Sequence, residues 1–180
     1  EQPTTLKNGI KEYVDTSNND INIYNFPWKM NEISSVTLIG CGTAYHSCLL
    51  AKYWFEELTS LDVNVDIASE YRYRKPSIFG QSSMLVISQS GESLDTLMAL
   101  RQGKMLGLNT NAIVNVEGST IDREVDYSLY TKVGAEIGVA STKSFTSQLV
   151  ILFMIALALG KKFNNLKTNQ IKKISNYINM

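Results

Sequence analysis

Residues 88–93, Ser-Gln-Ser-Gly-Glu-Ser, bring three hydroxyls, a carboxamide and a glycine to the point where an apolar strand gives way to a helical pattern. Such a set is suited to holding an anion. A helix N-terminus leaves about four backbone N–H groups without intrahelical partners and carries roughly half a positive charge. Donors on Ser88, Gln89, Ser90 and Ser93 would complete a pocket there, most naturally for a phosphate. A single serine would meet the helix's need for an N-cap. The surplus favours a ligand. Glu92 would repel an anion that it faced, so its carboxylate is expected to turn away, toward the loop or a helix dipole.

Two further segments carry candidate groups. Gly40-Cys41-Gly42-Thr43 opens like a dinucleotide fingerprint, but the third glycine would fall at Tyr45. A small-ligand loop is favoured over a nucleotide site or a purely structural turn. Residues 134–146 are dense in small and hydroxylated side chains beside Glu136 and Lys143, which could pair. That segment reads equally well as a substrate loop or as a helix start with Ser141 or Thr142 as N-cap. Alternating tyrosines and arginines at 71–74 suit a solvated or interface segment better than an electropositive stacking surface. The sole histidine, His46, reads as a surface or capping residue rather than a catalytic base. Cys41, His46 and Cys48 lack a fourth ligand for zinc, so neither a metal nor a cofactor is expected, and two cysteines indicate no disulfide framework.

The elements that must position these residues follow from hydropathy. Continuous apolar runs at 36–39, 63–68, 84–87, 112–116 and 127–130 read as parallel strands covered on both faces. Helical patterns lie at 5–14, 43–58, 93–106, 120–125, 142–161 and 166–178, with a surface-hugging connection around 18–28. Strands alternating with helices predict an α/β fold, a three-layer αβα sandwich on a five-stranded parallel sheet. The loops at 40–43 and 88–93 then leave the carboxyl edge of that sheet, where ligands of open parallel sheets bind. With 136–146 they can surround a sugar phosphate.

The 180 residues are enough for one well-buried domain. Seventeen basic residues balance seventeen acidic ones, so no basic field is available for a nucleic-acid backbone. The longest apolar run, 149–159, is too short for a membrane span and reads as a buried core helix. Cytoplasm is the default compartment. The chain starts without methionine and reads as a fragment. The expected division is an N-terminal helix and connection (1–30), a sugar-phosphate-binding domain (31–162) and a C-terminal helix (163–180).

Four stretches, in order and approximate spacing, carry a family resemblance: 41–43, 68–74, 88–93 and 136–143, the last reading Glu-Ile-Gly-Val-Ala-Ser-Thr-Lys. The chain resembles the isomerase part of the glutamine:fructose-6-phosphate aminotransferase family, over nearly its whole length. Residues 88–92 alone would indicate only the wider sugar-isomerase (SIS) fold, of flavodoxin-like topology. The resemblance implies that this is the first of two SIS subdomains. Ser88, Gln89, Ser90 and Ser93 would hold the phosphate of fructose 6-phosphate or glucosamine 6-phosphate, and Thr43, Val139 and Ser141 would line the sugar. It further implies a glutaminase domain and a second SIS subdomain on the same polypeptide, and a homodimer. The family's Schiff-base lysine, acid/base carboxylate and ring-opening histidine map nowhere on this chain, so the fragment is expected to be inactive alone. Ser93 stands where threonine is usual, and Ala44 where serine is common. The competing expectation is a sugar-phosphate-sensing module without catalysis.

Overall fold

The computed structural model describes residues 1–15, 20, 21, 23, 26–29, 32–76, 78, 80–138, 141–167, 169, 170 and 173. Helix α1 (Gln2–Tyr13) carries Pro3 in its first turn, where a missing N–H costs nothing. A two-residue antiparallel ribbon follows, β1 (Val14–Asp15) with β2 (Asp20–Ile21). Strands and helices then alternate: β3 (Ser35–Gly40), α2 (Thr43–Thr59), β4 (Asp62–Ile67), α3 (Ala68–Tyr71), β5 (Ser82–Ser88), α4 (Leu94–Met105), β6 (Asn109–Val114), α5 (Thr120–Glu124), β7 (Tyr127–Tyr130) and α6 (Lys143–Lys162).

Strands β4-β3-β5-β6-β7 lie in that order in one parallel sheet. This is the αβα sandwich expected from the alternating pattern, with the flavodoxin-like strand order that the family resemblance implies. Period two along each strand divides the apolar side chains between two cores. Leu85 and Ile87 pack with Cys48, Phe55, Leu152 and Ile155 of α2 and α6. Met84 and Val86 pack with Tyr71, Leu100 and Ile121 of α3, α4 and α5. The order in which strands are added reverses between β3 and β5, and Gly40 lies level with Ile87 there. The crevice at that switch point is where a parallel sheet takes its ligand.

Helix α6 is apolar nearly all round because it is covered on more than one side. Ile151, Leu152 and Ile155 face the α2 core. Met154 and Leu157 meet Val14 and Ile21 of the ribbon. By length and composition alone α6 could cross a membrane, yet 61% of its most apolar window is buried inside the fold. It is a core helix. The Tyr13 hydroxyl donates to the Tyr130 carbonyl at 3.0 Å and accepts from its N–H at 3.2 Å, latching α1 to β7.

Several expectations shift. The strand expected at 112–116 runs Asn109–Val114, so Asn115 leaves the ladder. Ala68, expected in a strand, opens the single turn α3. Phe26 and Trp28 do not hug the surface. Both are buried, with ring centroids 4.9 Å apart, because that much aromatic area is far more stable out of water. The segment expected at 166–178 lies mainly outside the described residues.

Candidate functional site

Glycine lets the first loop form. A Cβ on Gly40 would come within 2.8 Å of the Ala44 and Tyr45 backbone, so only glycine lets α2 start this close to β3. Gly91 has φ +66°, and a Cβ there would meet Ser119 Oγ at 2.0 Å. The loop 88–93 can therefore turn sharply and press against the start of α5.

That loop is fastened from every side. Gly91 N–H donates to Ser88 Oγ at 3.0 Å, and Glu92 N–H to Ser90 Oγ at 3.1 Å. Thr96 Oγ1 donates to Ser93 Oγ at 3.2 Å. Asn115 N–H reaches the Gln89 carbonyl at 3.1 Å, and Ile121 N–H the Gly91 carbonyl at 3.0 Å. Each serine thus accepts from the protein while its own proton stays available for a further acceptor. Glu92 does turn away: its carboxylate accepts Thr120 N–H at 2.8 Å. That hydrogen bond, at the head of α5, holds its pKa below the ordinary range.

The third segment departs from what its residue types suggest. Glu136 does not pair with the Lys143 ammonium, which reaches Glu1 at 2.9 Å instead. Its carboxylate caps α6, accepting Thr142 N–H at 2.8 Å and Lys143 N–H at 3.0 Å. It also accepts the hydroxyls of Ser141, at 2.7 Å, and Ser144. Thr142 is the N-cap residue by position but makes no capping bond with its side chain. Burial, the largest single influence on Glu136, pushes its pKa up; the four hydrogen bonds together outweigh it and hold the pKa at about 2. The segment is positioned by Asn115. Its Oδ1 accepts from Thr131 at 3.0 Å and Val133 N–H at 2.9 Å, and its Nδ2 donates to the Gly134 carbonyl at 2.8 Å.

The three segments enclose a cavity of about 340 Å³ at the switch point. Thr43, Ser88, Gln89, Ser90, Ser93 and Ser141 all line it, so six of the sequence-predicted residues meet in one place. Val139, the seventh, lies outside the described residues. Neither Ser93 of α4 nor Gly42 of α2 caps its helix through a side chain. Both helix N-termini therefore stand open beside the cavity. No lysine, arginine or histidine is among its described lining residues. An anion here would be held by neutral donors and dipoles.

The lining offers two kinds of group. Ser88, Ser90 and Ser93 offer donors, whereas the Ser141 hydroxyl donates to the Glu136 carboxylate and offers an acceptor. An anionic group suits the first set and a hydroxyl the second.

Sequence reasoning missed Thr96 and Gln148, which also line the cavity, and the role of Glu136 as a cap. The Ser-x-x-Thr spacing at 93–96 was a signal for the first. His46 is exposed and stands outside the lining, its ring tilted against Tyr45 with centroids 5.7 Å apart. Arg72 and Arg74 form no free positive surface, because Asp95 and Asp66 engage them at 2.9 and 2.8 Å. Cys41 lines the cavity, while Cys48 is buried in the α2 core, where burial pushes its thiol pKa up.

Comparison with known proteins fits this geometry. A glutamine--fructose-6-phosphate aminotransferase [isomerizing] from Pectobacterium atrosepticum is 46% identical over 166 residues, 89% of this chain and 27% of that protein. One from Clostridium tetani is 41% identical over 97% of this chain and 29% of its own length. The chain thus spans little more than a quarter of the curated relatives it matches. Among solved structures, the C-terminal domain of glucosamine-fructose-6-phosphate aminotransferase from Francisella tularensis superposes with a TM-score of 0.93 at 37% identity. That match covers 99% of this chain and 50% of the other. A glucosamine-6-phosphate deaminase from Thermotoga maritima, at 22% identity and a TM-score of 0.70 over 98% of this chain and 52% of its own, shares the fold alone. Residues 29–158 match the SIS domain family, and with the sandwich and its switch-point cavity the chain belongs to that family.

Proposed function

We propose that this chain is the sugar-phosphate-binding half of the isomerase part of a glutamine:fructose-6-phosphate aminotransferase. It holds fructose 6-phosphate or glucosamine 6-phosphate with the phosphate against Ser88, Gln89, Ser90 and Ser93, and the sugar against Thr43, Val139 and Ser141. The supporting observation is a single cavity lined by hydroxyl donors, two helix N-termini without side-chain caps, and an acceptor at Ser141. The identity to aminotransferases along most of the chain supports the parent activity.

In that activity the sugar ring opens, ammonia adds at the carbonyl, and a proton moves between the first two carbons. Residues of this chain contribute binding and orientation through preorganised donors rather than proton transfer. The groups that move protons belong to a second SIS subdomain, to which residues 163–180 lead, and to a partner copy in a homodimer. A glutaminase domain on the same polypeptide releases the ammonia. Alone, the chain binds without turning over.

Isothermal titration calorimetry with fructose 6-phosphate tests the binding. Ser90→Ala removes one donor and should weaken affinity by roughly 1–3 kcal/mol. Unchanged affinity would remove Ser90 from the site. Reading the gene beyond both ends tests the rest: a glutaminase domain upstream and a second SIS subdomain downstream are expected, and a DNA-binding domain would point instead to a sensing module.

A further inference from the structure

We propose that Gln148 reads the sugar, its carboxamide oxygen accepting a hydrogen bond from a hydroxyl on the ligand's carbon chain. This rests on the cavity being a sugar-phosphate site and adds to it a specificity residue outside the loops. Gln148 lies one turn beyond Ser144 on α6, is 1% exposed and lines the cavity with Ala44, Glu136 and Ser141. Its Oε1 is buried and has no hydrogen-bond partner among the described residues. A buried acceptor without a partner destabilises a fold, and native proteins rarely keep one without a reason. The same buried face of α6 continues with Ile151, Leu152 and Ile155, where a leucine or methionine at 148 would simply extend the apolar stripe. A glutamine there breaks the local rule at the wall of a cavity, as expected of a residue kept for binding.

As placed, the unpaired atom is the carboxamide oxygen, an acceptor. An amide oxygen cannot bond a phosphate oxyanion, which is itself an acceptor, but it suits a hydroxyl. The donors at 88–93 serve the anion, whereas Gln148 stands with Ser141 and Glu136 among the acceptors. Sites built to bond a hydroxyl discriminate strongly against ligands lacking it, because the buried polar group is then stranded. Gln148 should therefore separate a sugar phosphate from phosphate alone.

The test compares wild type with Gln148→Met, which keeps the length and helical preference, and with Gln148→Leu. Thermal unfolding and calorimetry against fructose 6-phosphate and inorganic phosphate are run on each. The methionine variant should melt at or above the wild-type temperature and lose about tenfold in fructose 6-phosphate affinity, while phosphate affinity stays within about twofold. Leucine should give the same pattern, and it decides the matter if methionine fails to fold. A lower melting temperature with unchanged sugar-phosphate affinity would make Gln148 structural and overturn the inference. Equal losses for both ligands would do so too. If wild type binds phosphate but not fructose 6-phosphate, the sugar-phosphate assignment itself fails, a result visible without any variant.

Discussion

Glu136 shows how one side chain can order a helix terminus at the wall of a cavity. A carboxylate on the N-terminus of α6 gives that helix its own anion, whereas α2 and α4 are left without side-chain caps. A phosphate entering the cavity would be repelled by Glu136 and drawn toward the uncapped helix N-termini. With the folded pKa at about 2 against an ordinary 4.5, Glu136 stabilises the fold fully above the ordinary value. That contribution fades as pH falls from 4.5 toward about 2. Allowing for partial exposure, it amounts to roughly 2–3 kcal/mol. Glu136→Gln should therefore melt lower than wild type at neutral pH, with a gap that narrows as pH falls through this window. A gap that stays constant on acidification would contradict the assignment. Ala44 permits the opposite experiment. It is buried on the cavity wall, so Ala44→Ser should add a donor and strengthen fructose 6-phosphate binding roughly three- to tenfold. Calorimetry would show weakened binding if that wall is too tight for the hydroxyl.

Among the elements, the loop after β6 ties the site together. Asn115 joins the 88–93 loop through its backbone and the 131–134 segment through its side chain. Replacing it with alanine strands the part-buried Val133 N–H and frees the exposed Gly134 carbonyl. Asn115→Ala should cost about 2 kcal/mol in chemical denaturation and speed amide exchange at 131–136 more than in the sheet. Uniform change across the molecule would show that Asn115 is not a local clamp. Sequence pattern made the sheet legible because Leu38, Leu85 and Ile113 sit in apolar runs that only strands covered on both faces bury. It gave the 88–93 loop because donor types cluster there beyond what capping needs. Asn115 was hidden by its neighbours, since Ala112 to Val116 reads as a continuing strand until the hydrogen bonds of its end are known. The capping by Glu136 was hidden because a carboxylate bound to backbone N–H groups leaves no charged partner in the sequence to reveal it. Gln148 left a trace, a polar residue at helical spacing from Ser144 and Ile151, but at the head of a long apolar helix that mark resembles an ordinary first turn.

For the molecule as a whole, charge is balanced and the cavity has no cationic side chain among its described lining residues. Affinity for a sugar phosphate should then change by less than about threefold between low and near-molar salt, since dipoles and hydrogen bonds at contact distance are poorly screened. A steep loss with salt would point to a lysine or arginine site. Another cavity has Lys75 on its wall beside the Arg74–Asp66 pair. The structure of this chain crystallised with fructose 6-phosphate distinguishes the two. The phosphate is expected within about 2.7–3.0 Å of the Ser88, Ser90 and Ser93 hydroxyls, with the sugar directed toward Ser141. A phosphate bound beside Arg74 and Lys75, or a vacant loop at saturating ligand, would contradict it.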